Sequence, residues 1–146
     1  MSKVARLLVV VDMQKRYPAA SDPSLVKRIN EGVKRRLSAG QPVVYLTMHL
    51  REDEGLTIAC PEGVIRLWKS DDDGSDSISG YIAGLRECPE SVEVWGVNTT
   101  CCVLRTAIGL AVDFEREGRS SVPVEVNLRY CGDGSTARGV RFRCSP

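Results

Sequence analysis

Val92–Ala107, VEVWGVNTTCCVLRTA, is the stretch whose reading decides the rest of the chain. It opens as a short apolar run, breaks at Gly96 and passes through Asn98, Thr99 and Thr100. Apolar residues then recur at helical spacing: Val103 or Leu104, Ala107, Ile108, Ala111 and Val112. The pattern is a strand, a tight turn and a helix over Thr100–Glu117, stopped by Gly118. Cys101 and Cys102 fall in the first turn of that helix. Unpaired N–H groups and the positive end of the helix dipole favour thiolate there, and thiolate is the nucleophilic form of cysteine. Packing alone would also accommodate the pair, since free cysteine behaves as a small core residue.

Working outward, Arg6–Val11 (RLLVVV) is a continuous apolar run ending at Asp12, the mark of a central strand in a parallel sheet. Asp12 then stands at a strand's carboxyl end, where open α/β sheets place ligands, although aspartate also serves as a turn or capping residue. Ser21-Asp22-Pro23-Ser24 signals a helix start, and Leu25–Ala39 follows with Leu25, Ile29, Val33 and Leu37 at four-residue steps before Gly40. Pro42–Met48 is a second buried-type strand leading to His49, the only histidine, and to a polar loop from Arg51 to Gly55. Cys60–Gly63 reads as a loop. Val64–Trp68 reads as a short strand that delivers Lys69.

Ser70–Ser79 is polar, and its three consecutive aspartates lack the alternation and terminal Glu of a calcium loop. A solvated loop that caps the next helix, Tyr81–Leu85, is the expectation. Val122–Leu128 reads as a strand opened or edged by Pro123, Tyr130–Thr136 as loop, and Gly139–Cys144 as a last edge strand. Strand and helix alternate without repeat or linker. The fold expected is a single α/β domain over residues 1–146, Rossmann-like and three-layered, with a mainly parallel sheet of about five to six strands.

Composition removes several classes of function. Charged residues make up 27% of the chain and the formal net charge is +1, so no field favours nucleic acid or an anionic membrane. Only 5% is aromatic, which argues against a base-stacking platform. The first apolar run is too short to span a membrane, and no cleavage site marks it as a signal peptide. Six cysteines without C-x-x-C or Cys/His zinc spacing suit a reduced, cytoplasmic protein. A lone histidine supplies too few ligands for a catalytic metal.

Asp12, Lys69 and Cys102 each follow a different strand, and parallel strands bring their carboxyl ends to one rim. A thiol, a carboxylate and an ammonium on one rim make a nucleophilic set: Lys69 and the dipole favour thiolate, and Asp12 takes and returns the proton. Successive helical side chains diverge by about 100°, so only one of the two adjacent thiols is expected to face the crevice.

The three segments resemble the isochorismatase-like cysteine hydrolases, which include nicotinamidases and carbamoylsarcosine-type amidohydrolases. VVVDMQKRY matches the opening motif, with Asp12 in the position of the base and Tyr17 as the pocket aromatic. Gly96-Val97-Asn98-Thr99-Thr100-Cys101-Cys102-Val103 matches the nucleophile motif in a register that selects Cys102, and Thr106-Ala107 follows as is usual there. Lys69 matches by position, but the small-aromatic sequence that commonly trails the lysine is replaced by Asp73-Gly74-Ser75-Asp76.

The resemblance implies hydrolysis of an amide-like bond in a small molecule, a non-proline cis peptide at Val97–Asn98 beside the oxyanion site, and pocket contacts from Gln14, Tyr17, His49 and Trp68. It implies no cofactor. The Asp-x-His and second His that bind metal in nicotinamidases are replaced here by Thr47-Met48-His49 alone. A homo-oligomer, dimer or tetramer, is a further expectation, because the chain is short after Asp133 and a second subunit could complete the pocket. Two alternatives stand beside this reading: a vinyl-ether or ester hydrolase, and a non-catalytic scaffold on the same fold.

Overall fold

The first apolar run becomes the centre of the molecule. In the computed structural model, which describes residues 5–49 and 55–133, β1 (Arg6–Val11) lies between β2 (Val43–Met48) and β4 (Ser91–Val97), parallel to both. β3 (Ile65–Lys69) adds beyond β2 and β5 (Val124–Gly132) beyond β4, giving the order β3-β2-β1-β4-β5 with every pairing parallel. The strand expected at Gly139–Cys144 and most of the polar loop after His49 lie outside the described residues.

Period-two alternation divides β1 between two cores. Leu7, Val9 and Val11 face Ile78 and Ile82 of α2 (Ser75–Ala83) and Leu110 and Phe114 of α3 (Leu104–Arg116). Leu8 and Val10 face Leu25, Ile29 and Val33 of α1 (Pro23–Ser38). A central strand covered on both faces must be apolar throughout, which is why RLLVVV shows no polar alternation. Leu56, Ile58 and Val64, on the connection from β2 to β3, pack on the α1 face. Crossovers therefore run over one face toward β3 and over the other toward β5, and the order reverses between β1 and β4. That reversal opens a crevice at the strand carboxyl ends.

Local chemistry sets the helix ends. Asp22 accepts a 3.1 Å hydrogen bond from the Ser24 N–H at the start of α1, and Pro23 takes the first helical position, where no N–H is needed. α2 begins at Ser75, six residues before the expected Tyr81, because the Asp73 carboxylate accepts the Ser75 N–H at 2.9 Å. Half of the expected polar loop is therefore helix.

β5 also departs from expectation. It starts after Pro123, whose carbonyl accepts the Val92 N–H at 3.0 Å, and runs through Tyr130 to Gly132, residues read as loop. The ladder shifts register between Val94 and Gly96, and Tyr130 stacks on Trp95 with ring centroids 3.9 Å apart. Long-range stacking thus recruits a segment with little strand character of its own.

The largest difference lies in α3. The stripe that faces the sheet is Val103, Thr106, Ala107, Leu110 and Phe114, whereas Leu104, Ile108, Ala111 and Val112 are exposed, Ile108 by 54%. The sequence carries two apolar stripes about a third of a turn apart. Which one packs is decided by how the chain leaves β4. Thr99–Val103 form a π-helical turn, in which the Val103 N–H reaches the Asn98 carbonyl at 3.2 Å, and only at Leu104 does regular α-helix begin.

Gly96 fixes that exit. Its φ is +118°, and a Cβ there would lie 2.1 Å from the Val11 carbonyl oxygen. Gly96→Ala should cost about 2–4 kcal/mol, combining a disfavoured φ with a backbone clash. Gly40→Ala, at φ +74° with nothing within 4 Å of the added methyl, should cost only about 1 kcal/mol. Urea unfolding midpoints of the two variants check the difference, and equal losses would remove the packing argument.

Candidate active site

Asp12 ends β1 with φ at +53°, a left-handed conformation that is uncommon for a residue other than glycine. Its N–H bonds the Leu46 carbonyl at 2.9 Å, which fixes the backbone against β2. The rest of the Asp-Met-Gln motif anchors this turn. Met13 is buried in the core on the α1 side, and the Gln14 amide both donates to the Met48 carbonyl (3.1 Å) and accepts the Met48 N–H (2.9 Å). Gln14 therefore braces the end of β2. Tyr17, expected in the pocket, is packed with Leu8, Val10 and Trp95 in the α1-side core.

Lys69 closes β3, two strands away from β1. Its Nζ reaches across the end of β2 to lie 2.9 Å from Asp12 Oδ2, and it donates to the Asp71 carbonyl at 3.0 Å. Both side chains are 1% exposed, so the pair sits inside the protein. Burial pushes the Asp12 carboxyl above its ordinary value of 3.8. The Lys69 charge, first, and then the polar groups of Lys69, the Cys102 thiol and the Met48 backbone beside it, pull it partly back. Asp12 thus stands between Lys69 and Cys102.

Cys102 is fully buried in the π-helical turn that follows β4, and the peptide between Val97 and Asn98 just before it is cis. Asn98, itself buried, turns its carbonyl into the helix start, where it accepts from Cys101 N–H (3.0 Å) and Val103 N–H. Thr100 bonds Asp133 through its N–H and hydroxyl at 3.2 and 3.3 Å, tying this turn to the end of β5.

The two adjacent thiols do not separate as expected. Cys101 packs half-buried against the core on the α2–α3 side, as expected. Its sulfur nevertheless also lies 4.0 Å from Asp72 Oδ2, while the Cys102 sulfur lies 3.9 Å from Oδ1 of the same carboxylate. A π turn is wound more widely than an α turn, so successive side chains diverge by less than the α-helical angle and both can face one group.

Asp72 is the residue that the sequence reading missed. In the run Asp71–Asp73 only the outer two are exposed; Asp72 is buried and meets Arg105 of α3 at 3.5 Å. Thr106 holds the loop in place by accepting the Gly74 N–H at 3.0 Å. The signal was available in outline, since a lysine directed into a crevice obliges the next few residues to fold back over it.

Trp68 and His49 fall elsewhere. Residues alternate along β3, so Trp68 projects to the face opposite Lys69, half exposed, with the Arg66 guanidinium 5.1 Å from its ring centroid. His49 is exposed and packs edge-on to Trp68 at 5.8 Å. The metal set of the nicotinamidases does not fit here: Thr47 offers a hydroxyl 3.4 Å from the Arg66 guanidinium, a fixed positive charge, and only one histidine exists.

A buried Asp–Lys pair and a cysteine on a strand–turn–helix, gathered at the switch point of a parallel sheet, define a candidate nucleophile site in an isochorismatase-like α/β fold. Solved structures share that fold. A cysteine hydrolase from Pseudomonas syringae pv. phaseolicola superposes with a TM-score of 0.72 at 17% identity, over 90% of this chain and 74% of that one. The nicotinamidase from Staphylococcus aureus gives 0.70 at 18% identity, over 94% and 89%. N-carbamoylsarcosine amidase from Thermoplasma acidophilum gives 0.63 at 18% identity, over 97% and 87%. No family model and no curated protein matches the chain in sequence.

The Asp12 shift has a measurable sign. A carboxyl held above its unfolded value binds its proton more tightly when folded. Its contribution to stability is complete below the ordinary carboxylate range and is lost as pH rises through the folded value. Removing the opposing cation with Lys69→Met should move that loss to higher pH. Urea midpoints of the wild type and Lys69→Met, measured between acid and neutral pH, test this; an unmoved window would mean that Lys69 does not hold Asp12 ionised.

Proposed function

We propose that the protein is a cysteine hydrolase that cleaves an amide-like C–N bond in a small molecule. One observation carries the reading. The buried Asp12 carboxylate is held by Lys69 at 2.9 Å, and the Cys102 thiol lies near enough to help pull its proton affinity down, so base and nucleophile share one crevice. The fold shared with a cysteine hydrolase and two amide-cleaving enzymes supports it.

The chemistry follows from these positions. Asp12 accepts the Cys102 proton and the thiolate sulfur bonds to the carbonyl carbon. Backbone N–H groups at the Asn98–Cys102 turn are assigned to the oxyanion that forms. Asp12 returns the proton to the leaving nitrogen as the C–N bond breaks, giving amine and thioester. It next takes a proton from water, whose oxygen attacks the thioester, and the released thiolate recovers that proton. The sum is amide plus water to acid plus amine. A carboxyl raised by burial suits a group that must both accept and donate near neutral pH. Lys69 keeps it oriented and offsets the negative charge that builds up around it.

The site residues make separable predictions. Cys102→Ala should abolish turnover of any accepted amide, and Asp12→Asn should reduce kcat/KM by roughly 10²–10⁴. Cys101→Ala should keep most of the turnover. Intact-mass spectrometry after mixing with a library of small amides should show an acyl adduct on Cys102; a dead Cys101→Ala with an active Cys102→Ala would shift the nucleophile by one residue. Chelators should leave turnover undiminished, and loss restored by zinc or iron would show a metal-dependent enzyme.

A further inference from the structure

We propose that Asp72, Cys101 and Cys102 form a binding site for a thiophilic divalent cation such as Zn²⁺, and that the bound ion masks the nucleophilicity of Cys102. One ligand atom from each of the three residues lies within 4.8 Å of the other two. The carboxylate presents one oxygen to each sulfur, Oδ2 to Cys101 at 4.0 Å and Oδ1 to Cys102 at 3.9 Å. These contacts are too long for good hydrogen bonds. They are close to what a shared ion requires: with Zn–S near 2.3 Å and Zn–O near 2.0–2.2 Å, tetrahedral ligands stand about 3.5–3.8 Å apart. The carboxylate-to-sulfur contacts need close by only a few tenths of an ångström, and the three ligand atoms together, within 4.8 Å of one another, by at most about 1 Å.

The donors are held before any ion arrives. Cys101 and Cys102 are fixed by the π-helical turn, and Asp72 by Arg105 at 3.5 Å and by the loop that Thr106 ties to α3. Gly109 lets that loop lie close, since a Cβ there would meet Ser75 Oγ at 2.3 Å. Arg105, 61% exposed, meets Asp72 through Oδ2 from the solvent side and orients the carboxylate so that Oδ1 faces Cys102.

Two sulfurs and one carboxylate select Zn²⁺ or Cd²⁺ over Mg²⁺ and Ca²⁺. On binding, both thiols lose a proton to solvent, two per ion, and no electrons move. The two thiolates and the carboxylate then exceed the charge of the ion by one, and Arg105 lies against that excess. The sulfur lone pair of Cys102 is committed to the metal, so it no longer attacks carbon. This arrangement differs from the histidine-based metal set considered above, because it blocks the nucleophile in place of assisting it. Metal binding stands on the geometry alone; that it would regulate turnover rests on the hydrolase reading.

The test uses reduced, full-length protein carrying Cys60→Ser, because Cys60 is exposed and would bind or alkylate on its own account. Titration with Cd²⁺ should give thiolate-to-metal charge-transfer absorption saturating at one ion per chain, and Zn²⁺ should displace it. Asp72→Asn and Cys101→Ser should each weaken Zn²⁺ at least about tenfold in competition with a chromogenic chelator, while Cys131→Ser should not. Zn²⁺ should also slow alkylation of Cys102 by iodoacetamide, read by peptide mass. Urea midpoints establish that each variant is folded. The proposal is overturned if folded Asp72→Asn and Cys101→Ser bind as the wild type does, or if saturating Zn²⁺ leaves alkylation of Cys102 unchanged. Protection of Cys102 by Zn²⁺, in a protein whose metal-free form turns over no amide, would uphold the site and sink the hydrolase reading.

Discussion

The ion pair between Asp12 and Lys69 is the constraint on which the rest of the structure depends. It joins β1 to β3 across the end of β2, with both side chains out of water. A buried pair of this kind adds little net stability, because desolvation of two charges offsets most of their attraction, whereas removing one partner leaves a costly lone charge. Its worth lies in position. The lysine must come from the edge strand and the aspartate from the centre, so β2 must lie between them in register. The left-handed turn at Asp12 and the brace from Gln14 to Met48 hold that register where the charges meet.

From this pair the crevice is assembled by neighbours that each solve a separate packing problem. Gly96 permits β4 to approach β1 closely enough for Cys102 to arrive beside Asp12. The π-helical turn lets two consecutive cysteines look in nearly the same direction, and Thr106 anchors the loop that carries Asp72. The outcome is a thiol between two carboxylates of different character. Asp12 is balanced from within by Lys69, and Asp72 from solvent by Arg105.

Central strands were legible because burial on two faces leaves an unambiguous apolar signature, as in RLLVVV and VVYLTM. The rim residues Asp12, Lys69 and Cys102 were legible because they end such runs. Elements whose form is set by tertiary contact were not. β5 needs Trp95 to stack Tyr130 into line, and α2 starts early where the Asp73 carboxylate takes the Ser75 N–H. α3 offered two equivalent stripes, and local periodicity had no means of choosing Val103 and Leu110 over Leu104 and Ile108. Asp72 was hidden for a related reason. Between two exposed aspartates, its burial follows from the path of the loop and from nothing in its own chemistry. Gln14, Tyr17, His49 and Trp68 were drawn into the pocket by resemblance, yet the first two brace the scaffold and the last two sit on the face away from Lys69.

The two tryptophans divide the molecule optically. Trp95 is 1% exposed, sandwiched against Tyr130 and joined through its indole N–H to Glu93, deep in the core on the α1 side. Trp68 is 45% exposed on the edge strand, one residue before Lys69. Red-edge emission and quenching by a dissolved collider therefore belong to Trp68, and blue, shielded emission to Trp95. A single fluorescence spectrum then contains two independent reporters, one for the exposed edge of the sheet at β3 and one for the integrity of the whole sheet, with no added label.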